Sequence, residues 1–269
     1  MRSIRHAALA TFASAFLIAA TPARAEAPAP AVKGPQVENP MRVLLVGNSY
    51  LYYGDSLHNH LRRMVMAADP STEKKLQYKS ATIGGARLEH HNIDWLTTPG
   101  QIGVKEPFEL VVLQGGSVAP LSDKRRQAFK DTVAKYAELI HARGGQVALY
   151  MTHVYVPPHK RAAPENMGLT ASLYVETGNA VNALVIPVGL AFEEAYRRKP
   201  GIQLHKDYDG SHPELIGTYL AAATSYAAIY GKSPVGNSYD YYGKIEPEMA
   251  RFLQRVAWDT VQSFYGRKQ

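Results

Sequence analysis

The stretch Arg42-Val43-Leu44-Leu45-Val46-Gly47-Asn48-Ser49 is an apolar run of strand length that stops at a glycine. Its aliphatic residues follow one another without alternation, so both faces of the strand must be covered, as in a parallel sheet packed between helices. Outward from it, further apolar runs at Leu76–Ala81, Leu110–Leu113, Gln146–Met151 and Ala183–Val188 take turns with helical patterns. The helices are expected from Asp55 to about Ala68, from about Asp123 to Arg143, near Tyr174–Asn182, in a short segment ending at Arg198, and over Pro213–Tyr230 and Glu246–Tyr265. This alternation predicts an α/β fold, a three-layer α/β/α doubly wound sandwich on a mainly parallel sheet of about five strands.

Upstream of the first strand, Arg2 and Arg5 precede an apolar stretch from Ala7 to Ala20 and the small-residue site Ala23-Arg24-Ala25. That order of features is the pattern of a secretory signal peptide over residues 1–25, and a stable membrane span needs roughly 20 apolar residues. The reading implies export to a periplasmic or extracellular location and no integral membrane segment after cleavage. Residues 26–40, EAPAPAVKGPQVENP, lack apolar periodicity and are expected to be a Pro-rich linker. Residues 41–269, with no internal repeat, then form one catalytic domain.

The 269-residue chain carries a net charge of +7, and loss of Arg2, Arg5 and Arg24 with the signal peptide lowers this to +4. Runs such as Lys124-Arg125-Arg126 and Arg197-Arg198-Lys199 fall within or at the ends of expected helices, where a solvated face accounts for them. Nucleic acid is therefore not an expected partner. The chain has no cysteine, which excludes disulfides, thiolate metal sites and a cysteine nucleophile.

In an open parallel sheet ligands gather at the carboxyl ends of the strands. There, Gly47 allows a tight exit from which Ser49 projects above the sheet edge, either as a nucleophile or as a turn or N-cap serine. Gly54-Asp55-Ser56-Leu57 also offers a serine, but at the start of a helix, with Asp55 as its expected N-cap. A serine needs a base and the base needs an orienting partner; Asp207-Tyr208-Asp209-Gly210-Ser211-His212-Pro213 supplies Asp209 and His212 in one short turn. Ser211-His212-Pro213-Glu214 reads equally as a capping box with proline at the first helical position, which leaves His212 unexplained. Donors for a developing oxyanion can come from the loops Thr82-Ile83-Gly84-Gly85-Ala86-Arg87 and Leu113-Gln114-Gly115-Gly116-Ser117.

Taken in order, Gly47-Asn48-Ser49, Gly84-Gly85, Leu113-Gln114-Gly115-Gly116-Ser117 and Asp209-Gly210-Ser211-His212-Pro213 resemble the sequence blocks of the SGNH (GDSL-like) hydrolases. The resemblance spans nearly the whole of the expected domain. It implies Ser49 as nucleophile, Gly85 N–H as an oxyanion donor, and Asp209 and His212 as the rest of a triad. Asn48 stands where the commonest form of the first block has aspartate, and the third block lacks the usual Gly-x-Asn-Asp. That third block is more similar to the Gln-Gly-Glu-Ser type of sialate and other carbohydrate acetylesterases, which puts Gln114 in the oxyanion role.

The expected activity is thus that of a serine esterase acting on a small-molecule or glycan ester, without cofactor, removing an O-acetyl group from a carbohydrate through an acyl-enzyme. An O-acyltransferase using the same triad and a non-catalytic carbohydrate-binding protein on the same scaffold are the rival readings. The ten histidines give no metal motif, since His58 and His60 do not share a helix face; His153 stands out because it ends a strand at the active edge. The Pro-rich loop Val154–Gly168 is placed to overhang the site or to be a surface loop. Tyr50, Tyr52, Tyr53, Tyr239, Tyr241 and Tyr242 are either sugar-stacking residues or core.

Overall fold

The computed structural model describes residues 28–267; the signal-peptide reading of residues 1–25 lies outside the described residues. Five strands, β1 (Arg42–Gly47), β2 (Gln77–Thr82), β3 (Leu110–Leu113), β4 (Gln146–Tyr150) and β5 (Leu184–Ile186), form one sheet in the order β2-β1-β3-β4-β5. Every pairing is parallel, with Val43 opposite Tyr78 on one side and Leu110 on the other. The helices are α1 (Ser49–Tyr52), α2 (Leu57–Ala68), α3 (Ile93–Thr97), α4 (Asp123–Ala142), α5 (Asn166–Ala180), α6 (Val188–Arg198), α7 (Leu215–Tyr230) and α8 (Pro247–Phe264).

The unbroken apolar run of β1 divides between two cores because successive strand side chains point to opposite faces. Val43 and Leu45 pack with Leu57, Leu61, Tyr219 and Leu253 from α2, α7 and α8. Leu44 and Val46 pack with Phe129, Val133, Leu173 and Tyr174 from α4 and α5. Helix α7 has no polar face to show to water: Gly217 through Tyr230 are all buried, between α2, α6 and α8 and the sheet. Ala221, Ala222, Ala223, Ala227 and Ala228 let those neighbours approach closely.

Several boundaries differ from the sequence reading. Helix α5 starts at Asn166, inside the segment expected to be loop, and α7 starts at Leu215, not Pro213. The capping box does not form: Glu214 is the N-cap without a side-chain cap bond, and its carboxylate instead meets Lys206 Nζ at 2.9 Å. Pro213 is held off the helix by an antiparallel bridge to His205. At α2 the N-cap is Ser56, not Asp55, and it too makes no side-chain cap bond.

Residues 28–40 contain no helix or strand, yet they lie against the body. Asn179 takes the Ala31 N–H at 2.7 Å and donates to Ala29 O at 3.0 Å, Gln36 reaches Asn182 O at 2.7 Å, and Tyr230 donates to Pro40 O at 3.0 Å. No helix among the described residues is long and apolar enough to cross a membrane.

The sheet order reverses beside β1: the chain leaves β1 toward β2 on one side and returns to β3 on the other. In such sheets that reversal opens a crevice at the carboxyl ends of the two central strands. Ser49 follows β1 and Gln114 follows β3.

Candidate active site

Gly47 ends β1 where no side chain fits; a Cβ there would stand 2.3 Å from Gln114 Oε1 and 2.8 Å from Leu51. The next residue, Asn48, caps α1 by accepting the Tyr50 N–H on its side-chain oxygen at 3.1 Å, and its amide nitrogen donates to Ala86 O at 2.9 Å. Asn48 therefore ties the first and second loops together with a neutral amide. Ser49, 7% exposed, is the first residue of α1.

Ser49 Oγ lies 2.9 Å from His212 Nε2, across 163 residues of sequence, and His212 Nδ1 lies 2.6 Å from Asp209 Oδ2. A carboxylate only accepts, so Nδ1 carries the imidazole proton and Nε2 presents its lone pair to the serine hydroxyl. The other Asp209 oxygen accepts the Ser211 and His212 N–H groups at 2.8 and 3.0 Å. Partial burial works to raise the Asp209 carboxyl, but the His212 hydrogen bond and the two backbone donors outweigh it and hold it below the usual carboxylate range. Asp209 is thus charged and fixed.

The loop bearing both residues is clamped from three sides. Gly210, at φ 59°, has its carbonyl bonded to Val156 N–H at 2.9 Å, and a Cβ on it would meet Val156 O at 2.1 Å. Lys206 N–H donates to His212 O at 2.7 Å. From below, His153 Nε2 donates to Ser211 O at 3.0 Å and the Tyr50 hydroxyl meets Ser211 Oγ at 2.9 Å. His153 is fully buried between the Tyr50 ring at 4.2 Å and the Phe192 ring at 4.5 Å. Burial, then the neighbouring His205, push its pKa far below that of a free imidazole, so it supports the loop as a neutral donor.

The tyrosines separate by role. Tyr50 and Tyr239 are buried, the latter holding His60 Nδ1 through its hydroxyl at 3.1 Å, so neither ring faces solvent. Tyr53 lies flat on His212, with centroids 4.1 Å and planes 16° apart, and Tyr52 stacks on Tyr53 at 5.5 Å. Tyr241 stacks on His60, while Tyr242 is 65% exposed and carries the Arg63 guanidinium over its ring at 4.7 Å. The face-to-face contact of Tyr53 with His212 and the support from His153 were not visible in sequence. The only local cue was a histidine at the end of a strand.

Gly85, at φ 68°, sits in the loop after β2 with open space where a Cβ would be, and none of the acceptors among the described residues takes its N–H. Gln114 is buried, and the Asn48 N–H donates to its Oε1 at 2.8 Å. Because that N–H can only donate, the amide orientation is fixed, and Nε2 turns toward Gly115 O. In this arrangement Gln114 locks the turn that presents Ser49. Ser56 is elsewhere, its hydroxyl 2.9 Å from His58 Nδ1. Among the described residues no group of three or more His, Cys, Asp or Glu could hold a metal ion.

No protein-family model matches the chain, and no curated protein matches it in sequence. Solved structures do match. A DUF4886 family protein from Bacteroides uniformis superposes with TM-score 0.60 at 19% identity, over 85% of this chain and 96% of that one. A Slackia heliotrinireducens protein assigned as an SGNH hydrolase gives 0.56 at 23% identity, over 71% and 100%. An acetylxylan esterase from Geobacillus stearothermophilus, solved as a catalytic mutant, gives 0.55 at 12% identity, over 76% and 98%. With its parallel five-stranded sheet between helices and these structural neighbours, the chain has the fold of the SGNH hydrolases.

Proposed function

We propose that this protein is an exported serine esterase that removes O-acetyl groups from a carbohydrate by way of an acyl-enzyme on Ser49. The observation that carries the reading is the line from Ser49 Oγ through His212 to Asp209, at 2.9 and 2.6 Å. Ser49 Oγ attacks the ester carbonyl as its proton passes to His212 Nε2, and Asp209 stabilises the imidazolium. Tyr53, stacked on the ring, adds a cation–π attraction once His212 is charged. Gly85 N–H, with the second Nε2 hydrogen of Gln114, binds the oxyanion. Collapse of the tetrahedral species returns the proton from Nε2 to the leaving sugar hydroxyl. Water then attacks the acyl-enzyme with His212 again as base, releasing acetate and free Ser49. The fold shared with an acetylxylan esterase supports the choice of ester.

The test is labelling with a fluorophosphonate, read by intact mass and peptide mapping, alongside acetate release from acetylated sugars. Wild type and Ser56→Ala are expected to label at Ser49 and to turn over alike. Ser49→Ala and His212→Ala are expected to do neither. A folded Ser49→Ala variant that still releases acetate at the wild-type rate overturns the assignment.

A further inference from the structure

Between the nucleophile and α2 the chain passes through three consecutive residues of positive φ, Gly54 at 63°, Asp55 at 70° and Ser56 at 65°. Only the first is a glycine, and side chains in this region of backbone space persist where the surrounding structure over-determines them. Here a side chain grips each carbonyl in turn. Thr218 Oγ1 of α7 donates to Tyr53 O at 3.1 Å, His60 Nε2 of α2 to Gly54 O at 2.7 Å, and Asn59 Nδ2 to Asp55 O at 3.0 Å. On its other side Tyr53 donates its N–H to Ser49 O at 3.0 Å. The backbone of Tyr53 is thus fixed at both ends, and its ring is the one that lies flat on His212.

His60 is the costly member of this set. It is fully buried, where an apolar side chain would fill the same space without the desolvation of an imidazole. A carbonyl only accepts, so Nε2 carries the proton and Nδ1 takes the Tyr239 hydroxyl at 3.1 Å. Tyr241 stacks on the ring with centroids 5.1 Å and planes 15° apart. Burial holds the imidazole below its usual value against the pull of the Gly54 carbonyl, so it is neutral and in one tautomer. One rigid donor is therefore aimed at the peptide that follows Tyr53.

We propose that His60, together with Thr218, is a positioning residue for the base: by fixing the turn after Tyr53 it sets that ring flat against His212 and so keeps the imidazole in line with Ser49 Oγ. Neither side chain touches the reacting atoms, and both act through Tyr53. The strained turn has a purpose in this arrangement, since it carries the chain from the nucleophile to α2 with Tyr53 on the side of the base. The effect on turnover rests on the esterase reading, while the effect on the His212 ring does not.

The experiment compares two amides at position 60. In His60→Gln the amide nitrogen stands close to where Nε2 stood and keeps the bond to Gly54 O, whereas in His60→Asn it stops near Nδ1 and keeps only Tyr239. With p-nitrophenyl acetate as substrate, kcat is expected to fall about tenfold to 100-fold in His60→Asn, the range for a small displacement at the base, with KM unchanged, and to be largely restored in His60→Gln. Thr218→Val removes the neighbouring tether while keeping the side-chain shape; the same split between kcat and KM is expected of it, and it serves as the test if His60→Asn does not fold. Tyr53→Leu is expected to show the same loss, with no further loss when either tether substitution is added to it. Additive losses, or folded tether variants with wild-type kcat, overturn the proposal. Proton NMR of the His212 ring, identified by the signals missing in His212→Ala, needs no substrate. The face of Tyr53 is expected to shift these protons upfield in the wild type, and the shift to be lost alike in Tyr53→Leu and the tether variants. His212 signals unchanged in the tether variants overturn the proposal whether or not the protein turns over an ester. A wild type that shows the shift, loses it in those variants and hydrolyses no ester sinks the esterase reading alone.

Discussion

Replacing Asp209 by Asn separates the charge of the triad from its geometry. The amide has one oxygen and one nitrogen, and two backbone N–H groups already point at Asp209 Oδ1 from 2.8 and 3.0 Å. Placing the NH2 there would strand both donors, at about 1 to 3 kcal/mol each, so the oxygen stays and the NH2 faces His212 Nδ1. His212 must then accept at Nδ1 and carry its proton on Nε2, where it donates to Ser49 instead of receiving from it. The loop keeps its anchors and the protein keeps its fold, but the base is held in the wrong tautomer. The expected loss in kcat at neutral pH is about 10³ to 10⁴-fold, equivalent to about 4 to 5.5 kcal/mol of transition-state stabilisation. The assay is acetate release across pH 6 to 9, with circular dichroism and thermal unfolding to show that the variant is folded. A folded Asp209→Asn protein within tenfold of wild type would refute the argument, because no arrangement of the amide satisfies the loop and leaves Nε2 free.

Other outcomes follow from the same contacts. Gly210→Ala puts a Cβ into Val156 O in a left-handed backbone region, so the melting temperature and kcat should fall together, by about 100-fold for the latter, as expected for a displacement of about 1 Å at the base. Wild-type kinetics in that variant would mean the clamp does not position His212. His205 is buried and its pKa is pushed down to about 4 by desolvation. Its unfolded form takes up a proton near pH 6.5 while the folded form does not, so stability is full above that pH and is lost as pH falls toward 4, by roughly 3 kcal/mol. Thermal unfolding of wild type against His205→Gln over pH 7 to 4 checks this; parallel curves would contradict it. Asp209, whose pKa is depressed, contributes stability that is lost only at still lower pH, below the ordinary carboxylate range.

The strand runs were readable because β1, β3, β4 and β5 are buried on both faces and carry continuous aliphatic residues, a signal that needs no partner to be seen. Helix α5 was placed too late because its first turns, Asn166-Met167-Gly168-Leu169-Thr170, mix glycine and polar residues and have no single apolar stripe; Thr170 is buried with its hydroxyl on Asn166 O. The capping box failed for a related reason. Ser211 and Glu214 have the right spacing, but each finds a tertiary partner, Tyr50 and Lys206, and the local motif loses to them. The docking of residues 28–40 depends on Asn179, Asn182 and Tyr230, far along the chain, and leaves no periodicity to read. At the site, Ser49, Asp209 and His212 could be named because their chemistry depends on residue type. Tyr53 and His153 act through stacking and support, which arise only once α1, β4 and the 209–212 loop have come together.

The separation of 163 positions between Ser49 and His212 carries a consequence for the life of the polypeptide. The serine leaves the first strand, and the imidazole that faces it is supplied by a loop held in place by contacts to Lys206, Val156, His153 and Tyr50. A chain that has been made or folded as far as β4 has a serine hydroxyl with nothing to take its proton. On the proposed mechanism latency is inherent in the topology: reactivity at Ser49 is expected only once the fold is complete, and its appearance in time can serve as a clock for the last long-range closure.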